Sequence, residues 1–121
     1  MTGNIETGRV GEGLAVDFLD KIGYKILERN WRFKRTEVDI IAEFDNTIVF
    51  VEVKTRRNDY YGNPEESVTE AKVDNIMKTA EAYLEEKNIE KEIRFDIISI
   101  LLNEKDPQIY HIIDAINSFD V

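Results

Sequence analysis

The sequence predicts a single mixed α/β domain with its elements in the order αβββαββ. Three observations carry that expectation. An apolar stripe recurs every four residues near the N-terminus; two runs rich in branched side chains meet at Asp45-Asn46; and a second striped helix stands between those runs and another strand. At 121 residues the chain fits one domain with a real core and is short for two.

Each element can be justified in turn. Between Gly8 and Gly23, Val10, Leu14, Phe18 and Ile22 fall every four residues with Ala15 and Leu19 beside them, which predicts an amphipathic helix stopped by Gly23. Tyr24 to Phe33 reads as a first strand. Glu37 to Phe44 and Thr47 to Thr55 read as the next two, joined by a pair that tolerates the positive φ of a tight hairpin. After the polar loop TRRNDYYGNPEE, Ser67 and Glu70 form a capping box for a helix whose apolar face is Val73, Ile76, Met77, Ala80 and Leu84. Ile93 to Leu102 is apolar on both sides, NEKDP is a turn, and Gln108 to Ile113 is a short edge strand. A helical crossover from the third strand to the fourth sets those two parallel, with helices covering the sheet.

Composition narrows the function classes. The absence of cysteine excludes disulfides and thiolate chemistry. MTGNIETGRVGEG lacks a signal-like apolar core, and the run IISILL is far short of a membrane span, so a soluble cytoplasmic protein with no membrane partner is expected. Sixteen Lys and Arg against 25 Asp and Glu give a net charge of −9, which opposes tight nonspecific binding of nucleic acid. The charge is uneven. Residues 21–57 hold nine basic and six acidic side chains, or +3, leaving −12 for the remainder.

The chemistry concentrates in VDIIAEFDNTIVFVEVK, where Asp39, Glu52 and Lys54 interrupt two otherwise apolar strands. With the turn at Asp45-Asn46, Asp39 is expected opposite Glu52 and Glu37 opposite Lys54, a square of charges on one face with Cβ atoms about 4.5–5.5 Å apart across the ladder. Two opposed carboxylates beside an apolar layer need a counter-ion, a raised pKa or a bound divalent cation. Lys54 balances only one acid, and Glu37 competes for it. Mg²⁺ or Mn²⁺, which take carboxylate oxygens and waters, suit the pair.

Taken together, GRVGEGLAVDFLDKIGYKILERNWR, TEVDIIA, IVFVEVKTR, YGNPEESVTEAK and RFDIISI resemble the bacterial YraN-like family. That family is similar to Holliday-junction resolvases within the PD-(D/E)xK nuclease superfamily. The resemblance implies a restriction-endonuclease-like αβββαβ core and metal-dependent hydrolysis of DNA, branched DNA included, by a homodimer. It implies Asp39, Glu52, the Val53 carbonyl and the helical acid Glu12 as metal ligands, with Lys54 orienting water and stabilising phosphate charge. Where the family has Gly-Glu before the motif Asp, this chain has Thr36-Glu37.

Around that site Arg56, Arg57, Tyr60 and Tyr61 could hold phosphates and stack on unpaired bases, or form an ordinary surface loop. Arg35, with Arg29 and Arg32, extends a basic surface near Trp31, or Trp31 anchors the core among solvated neighbours. Lys72, matching a family lysine early in the second helix, reaches a phosphate or faces solvent. His111 reads as structural or exposed, and Asp96 as a buried partner for a basic group. A non-catalytic nucleic-acid-binding module that kept this fold is the alternative function.

Overall fold

The computed structural model describes residues 2–57, 70–103 and 105–116, with side chains from residue 8 onward. Its elements are α1 (Thr2–Lys21), β1 (Lys25–Phe33), β2 (Thr36–Phe44), β3 (Thr47–Arg56), α2 (Glu70–Lys87), β4 (Glu92–Leu101) and β5 (Gln108–Ile112). The expected order holds throughout; α1 starts earlier than its apolar stripe. Ser67 of the expected capping box lies outside the described residues.

The strands form one sheet in the order β1-β2-β3-β4-β5. β1, β2 and β3 make an antiparallel meander, β4 runs parallel to β3 after the α2 crossover, and β5 closes one edge antiparallel to β4. Local chemistry sets the reversals. Asp45 and Asn46 take φ of 50° and 60°, the left-handed pair that a two-residue hairpin twisted like its strands requires. Both helices end in the same way. Tyr24 N–H donates to Leu19 O and Gly23 N–H to Asp20 O, while Ile89 N–H donates to Leu84 O and Asn88 N–H to Glu85 O. Gly23 and Asn88 supply the left-handed residue this double bond needs.

Alternation in the strands sends apolar side chains to both faces, and one helix covers each. Ala15 and Leu19 of α1 pack with Ile40, Ala42, Val49, Val51, Ile98 and Ile100. Ala80 and Tyr83 of α2 pack with Ile41, Ile48, Phe50 and Phe95. The helix α1 lies close to β3 at Gly11, where an added Cβ would stand 1.8 Å from Thr55 Oγ1 and 2.8 Å from its Cβ. Only a glycine allows the helix to lie that near, and the next residue along is Glu12. Trp31 resolves to the core reading: it packs in the α2-side cluster with its ring edge-on to Tyr83 at 5.1 Å.

Candidate active site

The β2–β3 ladder keeps the expected register from Phe44↔Thr47 to Ile40↔Val51 and is not continued to Asp39. Asp39 Oδ2 instead accepts the Val53 N–H at 2.8 Å. A side-chain oxygen has taken the place of a backbone carbonyl, so the two strands part where the acid enters. On either side of it, Val38 and Ile40 of β2 pack into opposite cores, so the alternation also breaks here.

The expected square is therefore corrected. Asp39 does not stand in the ladder opposite Glu52. Glu37 does not pair with Lys54 but with Arg32, its β1–β2 register partner, at 2.9 Å. Lys54 turns instead to Glu52, Nζ to Oε1 at 3.3 Å, with both side chains about one-third exposed. What remains of the square is a set of acids near one half-buried carboxylate.

That cluster includes the helical acid. Burial pushes the Asp39 carboxyl up to about 6; the Val53 N–H opposes the shift, and the charges of Glu12, Glu52 and Glu37 add to it. Burial also raises Glu12, against the pull of Arg29 and with the push of Glu37. Among the described residues no basic side chain forms an ion pair with Asp39. Lys54 offsets Glu52 and Arg32 offsets Glu37, which leaves the most buried acid of the group without a cation.

Two residues outside the expected set shape this arrangement. Asn30 Nδ2 donates to Glu12 Oε1 at 2.8 Å. Asn30 lies in β1 between the registered pairs Arg29↔Ile40 and Trp31↔Val38, directly across from Asp39, and holds a left-handed φ of 53°. Gly11 is the other, through the close contact with Thr55. An asparagine inside a charged strand was a readable signal of a special backbone position; Gly11 had none beyond its place beside Glu12.

The donor chemistry fits a hard divalent cation. Asp39 and Glu52 offer carboxylate oxygens, Val53 adds a backbone carbonyl next to the amide that fixes Asp39, and Glu12 stands within electrostatic reach. Among the described residues no three carboxylate or imidazole groups converge tightly enough to close a metal cage. Mg²⁺ in particular is commonly held by one or two carboxylates and several waters, so an open two-acid site is adequate for it.

A pocket of ≈ 260 Å³ opens on the α2 side of this cluster, with Glu37, Asp39 and Glu52 in its wall. Arg35 and Lys72, two of the residues expected to contact nucleic acid, line it too. Arg56 is drawn to the neighbouring strand, its Nη2 3.3 Å from Ser99 Oγ. Arg57 is exposed just past β3. Tyr60 and Tyr61 lie outside the described residues. His111 and Asp96 are structural: Asp96 accepts hydrogen bonds from Arg94, from His111 Nε2 at 2.7 Å and from the Asp114 N–H at 3.0 Å. No described helix is long and apolar enough to cross a membrane.

Residues 11–100 match the model of the Uncharacterised protein family UPF0102, a span that holds Glu12, Asn30, Asp39, Glu52 and Lys54. A UPF0102 protein of Persephonella marina is 50% identical over 89% of this chain and 90% of its own length. That of Syntrophomonas wolfei is 49% identical over 93% and 98%, and that of Sulfurihydrogenibium sp. 47% identical over 91% and 93%.

Proposed function

The chain belongs to the uncharacterised protein family UPF0102, the YraN-like family its motifs resembled, and we propose that it is a metal-dependent DNA endonuclease. One observation carries the reading: the half-buried Asp39 stands where the β2–β3 ladder stops, held by the Val53 N–H, within electrostatic reach of Glu12, Glu52 and Glu37 and with no cation of its own among the described residues. A half-buried acid that feels the charge of three others is an arrangement that a divalent cation relieves.

Asp39 and Glu52 would hold Mg²⁺ or Mn²⁺ with the Val53 carbonyl, Glu12 meeting the ion or its waters. When bound, the ion supplies Lewis acidity, polarising the phosphodiester and lowering the pKa of a water. The protein does the rest. The Val53 amide fixes the Asp39 carboxylate in one orientation. Lys54, beside Glu52, places a positive charge where negative charge develops on the phosphate and can orient the attacking water. Arg35 and Lys72 meet the nucleic-acid backbone at the pocket rim. No histidine serves as a base, since His111 is committed to Asp96. A homodimer, the symmetry that suits a four-way junction, belongs to the same proposal and is read by sedimentation.

The test is cleavage of labelled single-stranded, duplex and four-way-junction DNA at low salt with Mn²⁺, beside Glu52→Ala and an EDTA control. Cutting that needs both the metal and Glu52 is the expected result; cutting that survives either control sinks it. The open two-acid geometry also favours a second reading, a nucleic-acid-binding module that cleaves nothing. In that case the protein shifts DNA on a gel, cuts none, and loses little affinity on Lys54→Ala.

A further inference from the structure

The pocket beside Asp39 has a half that phosphate hydrolysis does not call for. Acids, a cation and water are enough for the reaction, yet much of the wall beside the acids is apolar, built from Phe50, Ile76, Phe95, Ile97 and Ile116. Phe50 and Phe95 lie nearly parallel in that wall, their ring centroids 5.5 Å apart at 28°. At its edge Asn75 carries an amide that can both donate and accept, and Arg35 a planar guanidinium. The space, ≈ 260 Å³, is just under the range of about 300–1,000 Å³ usual for drug-sized ligands, so it has room for one small ring system.

A phosphate at Asp39 and Glu52 brings with it a sugar and a base one linkage away. In continuous duplex that base is stacked and paired inside the helix and cannot enter a side pocket; only an unpaired or extruded base can. We propose that this pocket receives the base of an unpaired nucleotide next to the scissile phosphate, so that the substrate is DNA with a single-stranded, flapped or branched segment rather than continuous duplex. The inference rests on the endonuclease reading; the resemblance already implied branched DNA, and what is added is the unpaired base and the pocket that takes it. The apolar wall takes the base face, the Asn75 amide its polar edge, and Arg35 and Lys72 the neighbouring phosphates.

The experiment has two arms, both in Mn²⁺ beside Glu52→Ala. In the first, Ile76→Trp and Ala115→Leu fill the pocket, and the ratio of cleavage rates on a flapped and a fully paired duplex is compared with that of the wild type. A wild-type preference for the flap that falls by about 5- to 150-fold is expected, the range base-stacking losses correspond to. In the second, the wild-type protein is irradiated with flap DNA carrying 5-iodouracil at the unpaired position, and adducts are mapped by mass spectrometry. This arm stands even if both variants fail to fold. Adducts on the pocket wall support the proposal. Adducts only elsewhere, or an unchanged ratio in a folded variant, overturn it while metal- and Glu52-dependent cleavage keeps the endonuclease reading; that is also the outcome if this chain or a second copy covers the pocket. No metal-dependent cleavage of any substrate overturns both.

Discussion

Two aspartates flank the same point of the central strand, and the protein treats them in opposite ways. Asp96 is the β4 partner of Val51, and Asp39 adjoins Ile40, the β2 partner of that same valine. Asp96 is buried and Asp39 half-buried, and both lose hydration. Asp96 receives two hydrogen bonds from Arg94, at 2.9 and 2.8 Å, one from His111 and one from the Asp114 N–H. Burial pushes its carboxyl up, but the bonds from His111 and Arg94 outweigh that and hold it below the usual range. Asp39 has a single backbone donor and faces acids, so burial wins and its carboxyl rises to about 6. A buried acid with a full set of partners is a structural device, whereas one left short of partners is what a bound cation would relieve.

The sharpest way to break this contrast is to strip Asp96 of its partner. Arg94→Leu leaves a fully buried carboxylate without its guanidinium, and breaking a pair of that kind costs about 3–5 kcal/mol. Urea unfolding at pH 7 should show that loss, and adding His111→Ala should deepen it. A loss below about 1 kcal/mol would mean that Asp96 is no better served than Asp39.

The next perturbation acts on the other aspartate from a distance. Gly11→Ala drives a Cβ into Thr55, so α1 must lift from β3. Overpacking of this kind costs about 1–3 kcal/mol. Because Glu12 follows Gly11, the lift also moves one of the charges that raise Asp39. The variant should therefore be less stable and carry an Asp39 carboxyl closer to its ordinary value, readable by carboxyl NMR titration. Lost stability with an unmoved Asp39 would separate the helix approach from the site.

The two acids also give stability opposite slopes in pH. Asp96 titrates lower in the folded chain than in the unfolded one, so its contribution is present above its unfolded pKa and is lost as pH falls through the folded value. Asp39 titrates higher when folded. Its contribution is present below the unfolded value of 3.8 and is lost as pH rises through about 6. Asp39→Asn keeps an acceptor for the Val53 N–H and removes the charge. It should raise stability at pH 7 by on the order of 1–2 kcal/mol and leave stability near pH 4 almost unchanged. Mn²⁺ should raise the melting temperature of the wild type at pH 7 and not that of the variant. If the variant is destabilised at pH 7, Asp39 is satisfied by the fold after all.

How much of this was legible in the sequence follows from what is local. The order αβββαββ, the hairpin register, the parallel crossover and the β5 edge rest on periodicity and turn residues, which act within a few positions, and all of them stand in the structure. The failure of the charge square has a different cause. A paper ladder extends every strand to its end, whereas Asp39 competes with the backbone for the Val53 amide and opens the ladder at that residue. Arg32 claims Glu37 because β1 lies on the far side of β2, in a register interrupted between Ile26 and Glu28 that no local pattern announces. The pairing of Asp96 with Arg94 and His111 was half legible: a charge inside an apolar strand demands a partner, and Arg94 is a local one two residues before it, but His111 depends on how β5 folds back.

The smallest perturbation tests whether the acid cluster is held or merely gathered. Asn30 donates to Glu12 from a left-handed position that costs most residues about 1 kcal/mol and glycine almost nothing. Asn30→Gly therefore removes the amide while sparing the backbone. Losing one exposed hydrogen bond should change stability by less than about 1 kcal/mol. If Asn30 aims Glu12 at the metal or its waters, the Mn²⁺ concentration needed for half of the melting shift should rise, by up to about tenfold, the lower end of what removing an outer partner of a ligand costs. Asn30→Asp sharpens the reading. It keeps the size and the tolerance for a positive φ but sets a carboxylate against Glu12, adding a fourth acid to those around Asp39, so it should weaken Mn²⁺ binding more if Glu12 must be aimed. If instead the added charge serves the ion directly, Asn30→Asp would bind Mn²⁺ more tightly than the wild type. Equal Mn²⁺ response in all three proteins would leave Glu12 a bystander and reduce the difference between the two aspartates to Asp39 and Glu52 alone.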